Sequence, residues 1–359
     1  MKIKYKILLV FFLVFFPAKY SYSVLPEIKI EEKKFAFIPQ MQLSLPNAVV
    51  DIFMRSKVVN TEMNFSSKYD FLDNYIDAIL GFRHHIYKFF IGIEFADKID
   101  FEQIFSDQTY LLRSRYINTY IGYNVIKNTE LKTSVRVENT SSASIDTFLV
   151  HDRGKNVTGN IGILYNTLTE TPTLPEGEKI TLDFTRSYNQ LGSEYDYTQT
   201  EFEFTDFSYP FGNNYLKSKI KVGYPVVTIK KPLTSIYFAG GYDILRGYKY
   251  KEFYGNTIAY IELSHHIPLV LKKRFSLTST SLEIVTGDIS VEMCKIGEKE
   301  IFDNSNNIKT SFGIGSSCSL HLFKNINLRF NLSVNQAIDL RTPVFYFTLN
   351  TFSYINQPE

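Results

Sequence analysis

The feature that most constrains this chain is a strict alternation of apolar and polar side chains near its C-terminus. From Asn325 to Asn335 every even position is Ile, Leu, Phe or Val, and every odd position is Asn, Arg or Ser. Successive side chains of a β-strand point to opposite faces, so the segment predicts a strand with one apolar and one polar face. The same alternation runs through Lys179 to Thr185 and Val344 to Asn350.

A soluble β-sandwich would also show this alternation, since its strands place one face in the core and one in water. The strand-like segments are about ten residues long, the length that a tilted strand needs to cross the hydrocarbon layer. Helical periodicity is nearly absent, and the 31 Phe and 25 Tyr suit the aromatic girdles at the two membrane interfaces. The sequence therefore predicts an all-β fold, a transmembrane antiparallel β-barrel.

The strand-like segments suggest a barrel of 16 strands, an even number that leaves both termini on one side of the membrane. Short turns such as Phe211 to Asn214 and Phe323 to Ile326 alternate with longer polar loops at 230–255 and 289–308. The expected segments are 34–44, 47–54, 58–67, 74–83, 86–96, 110–126, 129–138, 155–166, 178–188, 198–209, 217–229, 256–267, 274–288, 309–320, 325–335 and 344–354.

The N-terminus has the layout of a secretory signal peptide. Lys2, Lys4 and Lys6 precede the apolar run Ile7 to Phe16, and small residues follow at Ser21 to Ser23. We therefore expect residues 1–23 to be removed and residues 24–359 to form the barrel. Without the leader's four lysines, 35 basic residues face 37 acidic ones, and this balance gives no reason to expect a nucleic-acid partner.

One loop carries an unusual concentration of glycine around a single cation. Tyr237 to Tyr248 reads YFAGGYDILRGY, and its central motif consists of Gly240, Gly241, Leu245, Arg246, Gly247 and Tyr248. Glycine permits positive φ and close approach of another surface. The stretch therefore predicts a tightly folded loop that delivers Arg246 to a defined place, in the long connection between the eleventh and twelfth strands.

An ordered series of short motifs resembles the bacterial surface antigen superfamily, which includes the outer-membrane assembly factors BamA and TamA and the two-partner secretion transporters. The series covers residues 170–355, and residues 24–165 share only the strand pattern. Its members are LPEG (174–177), YFAGG (237–241), LRGY (245–248), a strand with Glu262 that ends at Pro268, TGD (286–288) and SFGIGSS (311–317). The resemblance implies a location in the bacterial outer membrane and a loop that folds back into the lumen.

The resemblance also implies an acidic partner for Arg246 inside the barrel. A guanidinium offers a planar fork that a carboxylate accepts bidentately, and an unpaired cation in a partly dehydrated lumen is unfavourable. Relatives usually carry an aspartate where this chain has Val285. Glu283 is the first candidate partner, followed by Glu262 and Asp288, and the alternative is that backbone carbonyls and water satisfy Arg246.

A second departure from the family concerns the periplasmic POTRA domains that receive client chains. The segment between Val24 and the expected first strand is too short for such a domain. We therefore expect a client to be recognised through a separate periplasmic partner, at the seam between the first and last strands, or not at all. Pro39 and Pro46 limit the hydrogen bonds that the first strand can make there. The expected role is insertion or translocation of outer-membrane or secreted proteins, or of lipids, in contact with outer-membrane lipid.

The alternative is a structural or pore-forming barrel that has kept the fold and lost the assembly role. Its lumen face would carry both positive and negative charges, which gives no indication of ion selectivity. The charged residues expected there are Lys132, Arg136, Lys179, Asp183, Glu201, Glu203 and Arg329.

We find no basis for catalysis, a cofactor or a metal in the sequence. No Gly-x-Ser-x-Gly motif is present, and the neighbours Ser264 and His265 would point to opposite faces of a strand. The histidines lack metal-ligand spacing. Cys294 and Cys318 could form a disulfide across the outer ends of one hairpin, or could be two free thiols.

Overall fold

The structure is a computed structural model, and its described residues form a nearly continuous series of β-strands. The ranges described are 38–45, 49–58, 60–70, 75–104, 108–144, 150–168, 175–212, 214–241, 243–249, 251–274, 281–297, 308–322, 326–340 and 342–353. The expected signal peptide lies outside these ranges, as does Pro46. No described helix has the length and apolarity required to cross a membrane.

Sixteen antiparallel strands close into a single barrel, as the sequence predicts. Each pairs with its neighbours in chain order, and the first strand pairs with the last to complete the ring. The barrel strands are β1 (Ile38–Leu45), β2 (Val49–Val58), β3 (Thr61–Asp70), β4 (Tyr75–Ile86), β5 (Phe89–Ile104), β6 (Gln108–Ile126), β7 (Thr129–Ser144), β8 (Val150–Asn166), β9 (Gly177–Ser187), β10 (Asp196–Phe211), β11 (Asn214–Lys230), β14 (Thr257–Arg274), β15 (Ser281–Gly297), β16 (Lys309–Leu322), β17 (Ile326–Ala337) and β18 (Val344–Ser353).

The remaining elements lie in loops. A short 3-10 helix, Asn189–Leu191, lies between β9 and β10. A second, Leu233–Ser235, follows β11, and β12 (Tyr237–Ala239) pairs with β13 (Phe253–Gly255) in a separate two-stranded sheet before β14. We call residues 231–256, which contain these last three elements, the lumen loop.

The alternation read from the sequence separates the two faces of the barrel wall. On β17, Leu332 is 55% exposed and Asn335 only 1%. On β18, Phe345 is 61% exposed, whereas Thr348 is fully buried. Apolar side chains therefore point outward, where lipid would cover them, and polar side chains point into the lumen.

The two ends of the barrel differ in the length of their connections. At one end, which we call the turn end, β4–β5 and β6–β7 are joined by two-residue turns at 87–88 and 127–128. The other end, which we call the loop end, carries the lumen loop. Both described termini, the start of β1 and the end of β18, lie at the turn end because an even number of strands returns the chain to its starting side.

Two strands on one wall are longer than the sequence indicates. β14 continues to Arg274 and β15 runs from Ser281 to Gly297, so the expected strand bounds of 256–267 and 274–288 were wrong there. Glu292 and Lys295 favoured a polar loop after residue 288. A charged side chain on the lumen face, however, stays in a polar environment and does not end a barrel strand.

Candidate functional site

The lumen loop leaves the wall after β11 and returns to it at β14. Its β12–β13 hairpin is held by the register pairs Tyr237–Gly255, Phe238–Tyr254 and Ala239–Phe253. The glycine- and arginine-containing stretch lies between these two short strands. The hairpin therefore presents Arg246 from a base that is itself hydrogen-bonded.

Apolar contacts fix the loop to two opposite parts of the wall. Leu245 and Tyr248, both buried, belong to a cluster with wall residues of β14, β15 and β17, namely Ile258, Tyr260, Cys294 and Ala337. On the other side, Leu233, Ile236, Phe238 and Tyr254 pack around Leu112 of β6. Since β15 and β6 are seven positions apart in the closed order of sixteen strands, the loop reaches across the lumen.

A glycine in the wall makes room for the start of the hairpin. The Tyr237 ring lies so close to Gly223 of β11 that a Cβ at this position would overlap it. The Tyr237 hydroxyl also accepts a hydrogen bond from the Gln199 side chain on β10. The ring is therefore placed by both shape and hydrogen bonding.

Arg246 is bound by two buried carboxylates on neighbouring strands. Its Nε lies 2.7 Å from Glu292 Oε1, and its Nη2 lies 3.0 Å from Glu262 Oε1. The backbone N–H of Arg246 donates a further hydrogen bond to Glu292. Glu262 is 3% exposed and Glu292 is 2% exposed, so both acids depend on protein partners.

The surrounding side chains complete the hydrogen bonding of both acids. Lys217 Nζ lies 3.0 Å from each oxygen of Glu262, and Ser264 donates to the same carboxylate at 2.9 Å. Glu292 accepts hydrogen bonds from the hydroxyl groups of Tyr260, at 3.1 Å, and Ser311, at 3.0 Å. Two cations therefore face two carboxylates, and the buried group is neutral overall. We call Lys217, Arg246, Glu262 and Glu292 the charge cluster.

The charge cluster affects the protonation of the loop arginine. Burial alone would lower the pKa of Arg246, but the carboxylates of Glu292 and Glu262 raise it above its ordinary value. The guanidinium therefore stays charged at every pH at which the protein is folded.

Tyr248 extends the attachment to the wall nearer the C-terminus. Its hydroxyl donates to Asp339, in the connection between β17 and β18, at 2.6 Å, and its carbonyl accepts a hydrogen bond from Tyr346 of β18 at 3.3 Å. Burial, together with the Asp339 carboxylate, raises the pKa of the Tyr248 hydroxyl. The loop thus contacts the last strand of the barrel as well as β14 and β15.

Gly247, between these two anchors, is required for both its conformation and its size. Its φ is +108°, and a Cβ there would lie 2.9 Å from the backbone nitrogen of Ala337 and 3.1 Å from Ser311 Cβ. A side chain at residue 247 would therefore push Arg246 and Tyr248 away from the wall.

Of the three acids considered for Arg246 from the sequence, the structure places Glu262 against it. Glu283 was wrong as the first candidate: it lies nine residues from Glu292, near the turn end, where its carboxylate accepts a hydrogen bond from Ser281. Asp288 contacts His266 instead. Buried side chains on β15 fall on even positions such as Ser290 and Glu292, and Glu283 is out of phase with them at an irregularity of the β15–β16 pairing.

Glu292 was missed because its segment was interpreted as a loop. With the correct strand bounds, Glu262 and Glu292 are direct register partners on β14 and β15. Like charges directly opposite each other destabilise a sheet unless a cation lies between them. That pairing is the sequence signal that could have identified both partners of Arg246.

The two cysteines do not form a disulfide, so that alternative was wrong. Both are free thiols. Cys294 pairs in register with Lys309, whereas Cys318 pairs with Val285, nine residues away along β15. Their parity on the two strands places Cys294 in the lumen and Cys318 on the outer face. The two cysteines are farther apart than expected because β15 extends beyond residue 288, to Gly297.

Beside the lumen loop the barrel encloses a polar cavity of about 410 Å³. Four of the charged residues expected in the lumen line it: Lys132, Arg136, Asp183 and Glu201. Thr234 and Ser235 of the lumen loop also line it. Within the described residues, no group of His, Cys, Asp and Glu could hold a metal ion.

Comparison with known proteins agrees with this geometry. The model of the Omp85 superfamily domain matches residues 50–351, which is most of the chain. The chain belongs to the Omp85 superfamily. As an Omp85 barrel it is located in the bacterial outer membrane, and no curated protein matches its sequence.

Solved structures of Omp85 barrels have the same fold. BamA from Haemophilus ducreyi, solved without POTRA domains 1–3, matches with a TM-score of 0.69 and 12% identity, over 90% of this chain and 71% of that one. CdiB from Escherichia coli matches with a TM-score of 0.63 and 10% identity, over 91% of this chain and 63% of that one. CdiB from Acinetobacter baumannii matches with a TM-score of 0.54 and 11% identity, over 89% of this chain and 59% of that one. The chain thus spans less than two thirds of either CdiB.

Proposed function

We propose that this Omp85 barrel assists the insertion or translocation of proteins at the outer membrane, and that the β1–β18 seam is where an incoming strand pairs. The observation that carries the proposal is the length of the seam. Only six residues of β1, Gln40 to Leu45, pair with β18, and this is the shortest ladder among the described pairs of barrel strands.

The prolines that flank these residues give a physical reason for the short ladder. Proline has no N–H to donate, and the paired segment occupies the six positions between Pro39 and Pro46. A short ladder requires few hydrogen bonds to be exchanged when a new strand replaces the old one. A ladder this short therefore favours opening at the seam.

The lumen loop favours an assembly role for the barrel rather than the role of an open pore. It reaches from β15 to β6 and is held there by a neutral charge cluster and two apolar clusters. A barrel whose lumen is crossed in this way conducts poorly at rest. The loop contacts Tyr346 on β18, so movement of the loop and opening of the seam are mechanically connected.

Partners follow from the same proposal. Client proteins would meet the barrel at the seam, and outer-membrane lipid surrounds its apolar outer face. A periplasmic partner that delivers clients is a further part of this proposal. The barrel itself carries out no covalent chemistry in this scheme.

Locking the seam with a disulfide should abolish the function. Gln42 and Asn350 are register partners across the seam, and Thr205 and Lys219 are register partners of β10 and β11. We expect a Gln42→Cys/Asn350→Cys protein, in a Cys294→Ser/Cys318→Ser background, to fail to restore outer-membrane protein levels in depleted cells. Quantitative mass spectrometry of the outer-membrane proteome before and after adding a reductant is the measurement.

The Thr205→Cys/Lys219→Cys protein is the matched control and should restore those levels whether oxidised or reduced. Full complementation by the oxidised seam-locked protein would overturn the seam mechanism. A proteome that is unchanged by depletion would overturn the proposed function as a whole.

A further inference from the structure

The outer face of β6, β7 and β8 carries a compact group of basic residues near the loop end. Arg113 and Arg115 lie on β6, and Arg153 and Lys155 lie on β8. Each has the same parity as exposed apolar residues farther along its strand, such as Ile117 (47% exposed) and Ile161 (57% exposed). These basic side chains therefore point outward, away from the lumen.

The strand register arranges the group as two rows across three strands. One row is Arg115–Asn139–Lys155, and the other is Arg113–Ser141–Arg153. Neighbouring strands are about 4.8 Å apart and residues on one face repeat about every 7 Å. The four cations thus mark the corners of a rectangle of about 10 by 7 Å, with an amide and a hydroxyl between them.

Two carboxylates lie at the edges of this rectangle. Asp97 of β5 accepts two hydrogen bonds from Arg113, at 2.8 and 3.0 Å, and one from Arg115, at 3.1 Å. Glu194 accepts the backbone N–H of Lys155 at 3.0 Å. Four cations against two carboxylates leave two positive charges. Arg115 remains 56% exposed in its contact with Asp97, so donors are still available to a ligand.

The position of the group relative to the apolar band identifies its environment. The next outward row toward the turn end is Ile117–Val137–Val157, and it is wholly aliphatic. The basic residues thus lie one step, about 7 Å, beyond this aliphatic row, on the side toward the loop end. The opposite wall differs, because Phe312 (50% exposed) and Ile314 (65% exposed) lie near the loop end of β16.

Short turns at one end and a long loop at the other are typical of an outer-membrane barrel whose loop end faces the cell exterior. We propose that this group of side chains binds the phosphate groups of a phosphorylated glycolipid in the outer leaflet. Its members are Arg113, Arg115, Asn139, Ser141, Arg153 and Lys155. Arginine and lysine at this spacing donate charge-assisted hydrogen bonds to phosphate, and Asn139 and Ser141 add neutral donors between them. Acyl chains of the same lipid would pack on Ile117 (47% exposed) and Val137 (41% exposed) in the row below, where Val157 is itself covered by protein. The site lies on the wall away from the seam and would anchor that wall while β1 and β18 separate.

The test measures binding of bisphosphorylated lipid A to the purified full-length barrel by native mass spectrometry, with dephosphorylated lipid A and inorganic phosphate as comparisons. We expect the Arg115→Gln/Arg153→Gln/Lys155→Gln protein to bind phosphorylated lipid A roughly a hundredfold more weakly, at about fivefold per basic residue. Asp97→Asn should tighten binding severalfold, because it releases Arg113 and Arg115 from their present acceptor.

Lys88 and Lys127, exposed at the turn end, provide the matched control. Lys88→Gln/Lys127→Gln should bind as the parent does, and a gel shift on boiling verifies that each variant is folded. Equal binding of the dephosphorylated lipid, an unaffected triple variant, or an equal loss in the control would overturn the site. Binding of inorganic phosphate without the lipid would do the same. None of these readouts involves the seam, so this test is independent of the proposed function.

Discussion

Replacing Arg246 with alanine is expected to lower the free energy of unfolding of the barrel by about 3–5 kcal/mol, the usual effect of removing one partner from a buried ion pair. Glu292 would lose the side chain that neutralises it, whereas Glu262 would keep Lys217. Denaturant titration of the protein in detergent micelles, followed by circular dichroism and by the gel shift on boiling, measures the change.

Rescue variants separate loss of the charge pair from general damage to the loop. Adding Glu292→Gln to the Arg246→Ala protein should restore more stability than adding Glu262→Gln, since only Glu292 is left without a cation. Lys249→Ala removes an exposed cation from the same loop and should leave stability nearly unchanged. Equal rescue by the two glutamine substitutions, or equal loss for Lys249→Ala, would contradict this account of the charge cluster.

Removing the lumen loop is expected to convert a closed barrel into a steadily open one. Barrels with sixteen strands are wide enough to leave an aqueous channel when nothing fills them. Here the loop fills the space between β15 and β6. In planar-bilayer recordings the native protein should show closed or flickering behaviour, and a protein with residues 232–255 replaced by a short glycine-serine linker should show a steady conductance.

A milder change should give an intermediate result. Arg246→Ala keeps the apolar side chains that attach the loop but removes its ion pairs, so the loop should leave the wall briefly and more often without a permanent open state. The pore-forming alternative predicts that the native protein is already open and that neither change matters. Steady conductance of the native protein would therefore favour that alternative.

The fold could be predicted from the sequence because period-two alternation is a local property. In a barrel each strand has one face in lipid and one in a polar lumen, so residues at even positions, such as Leu332, differ in kind from residues at odd positions, such as Asn335. The number of strands and the place of the loop between the eleventh and twelfth strands followed from that pattern, whereas the inward fold of the loop was implied by the resemblance to the family.

The bounds of β15 could not be predicted in the same way. In sequence, polar residues near the end of a strand cannot be distinguished from a polar loop. The lumen face of β15 accommodates Glu292 even though it lies directly opposite Glu262 on β14. The partners of Arg246 and the separation of the cysteines depend on the register among β14, β15 and β16. Register is set by pairing across the sheet and is not encoded in any one segment.

Accessibility of the Cys294 thiol most directly tests the central claim, which is that the lumen loop folds inward and is held by Arg246. Cys294 is 1% exposed and packs in the same cluster as Leu245 and Tyr248 of the loop. In a Cys318→Ser background, a small maleimide should label the folded native protein very slowly and the folded Arg246→Ala protein much faster. Rapid labelling of the native protein, at the rate of the denatured chain, would show that the loop does not occupy the lumen.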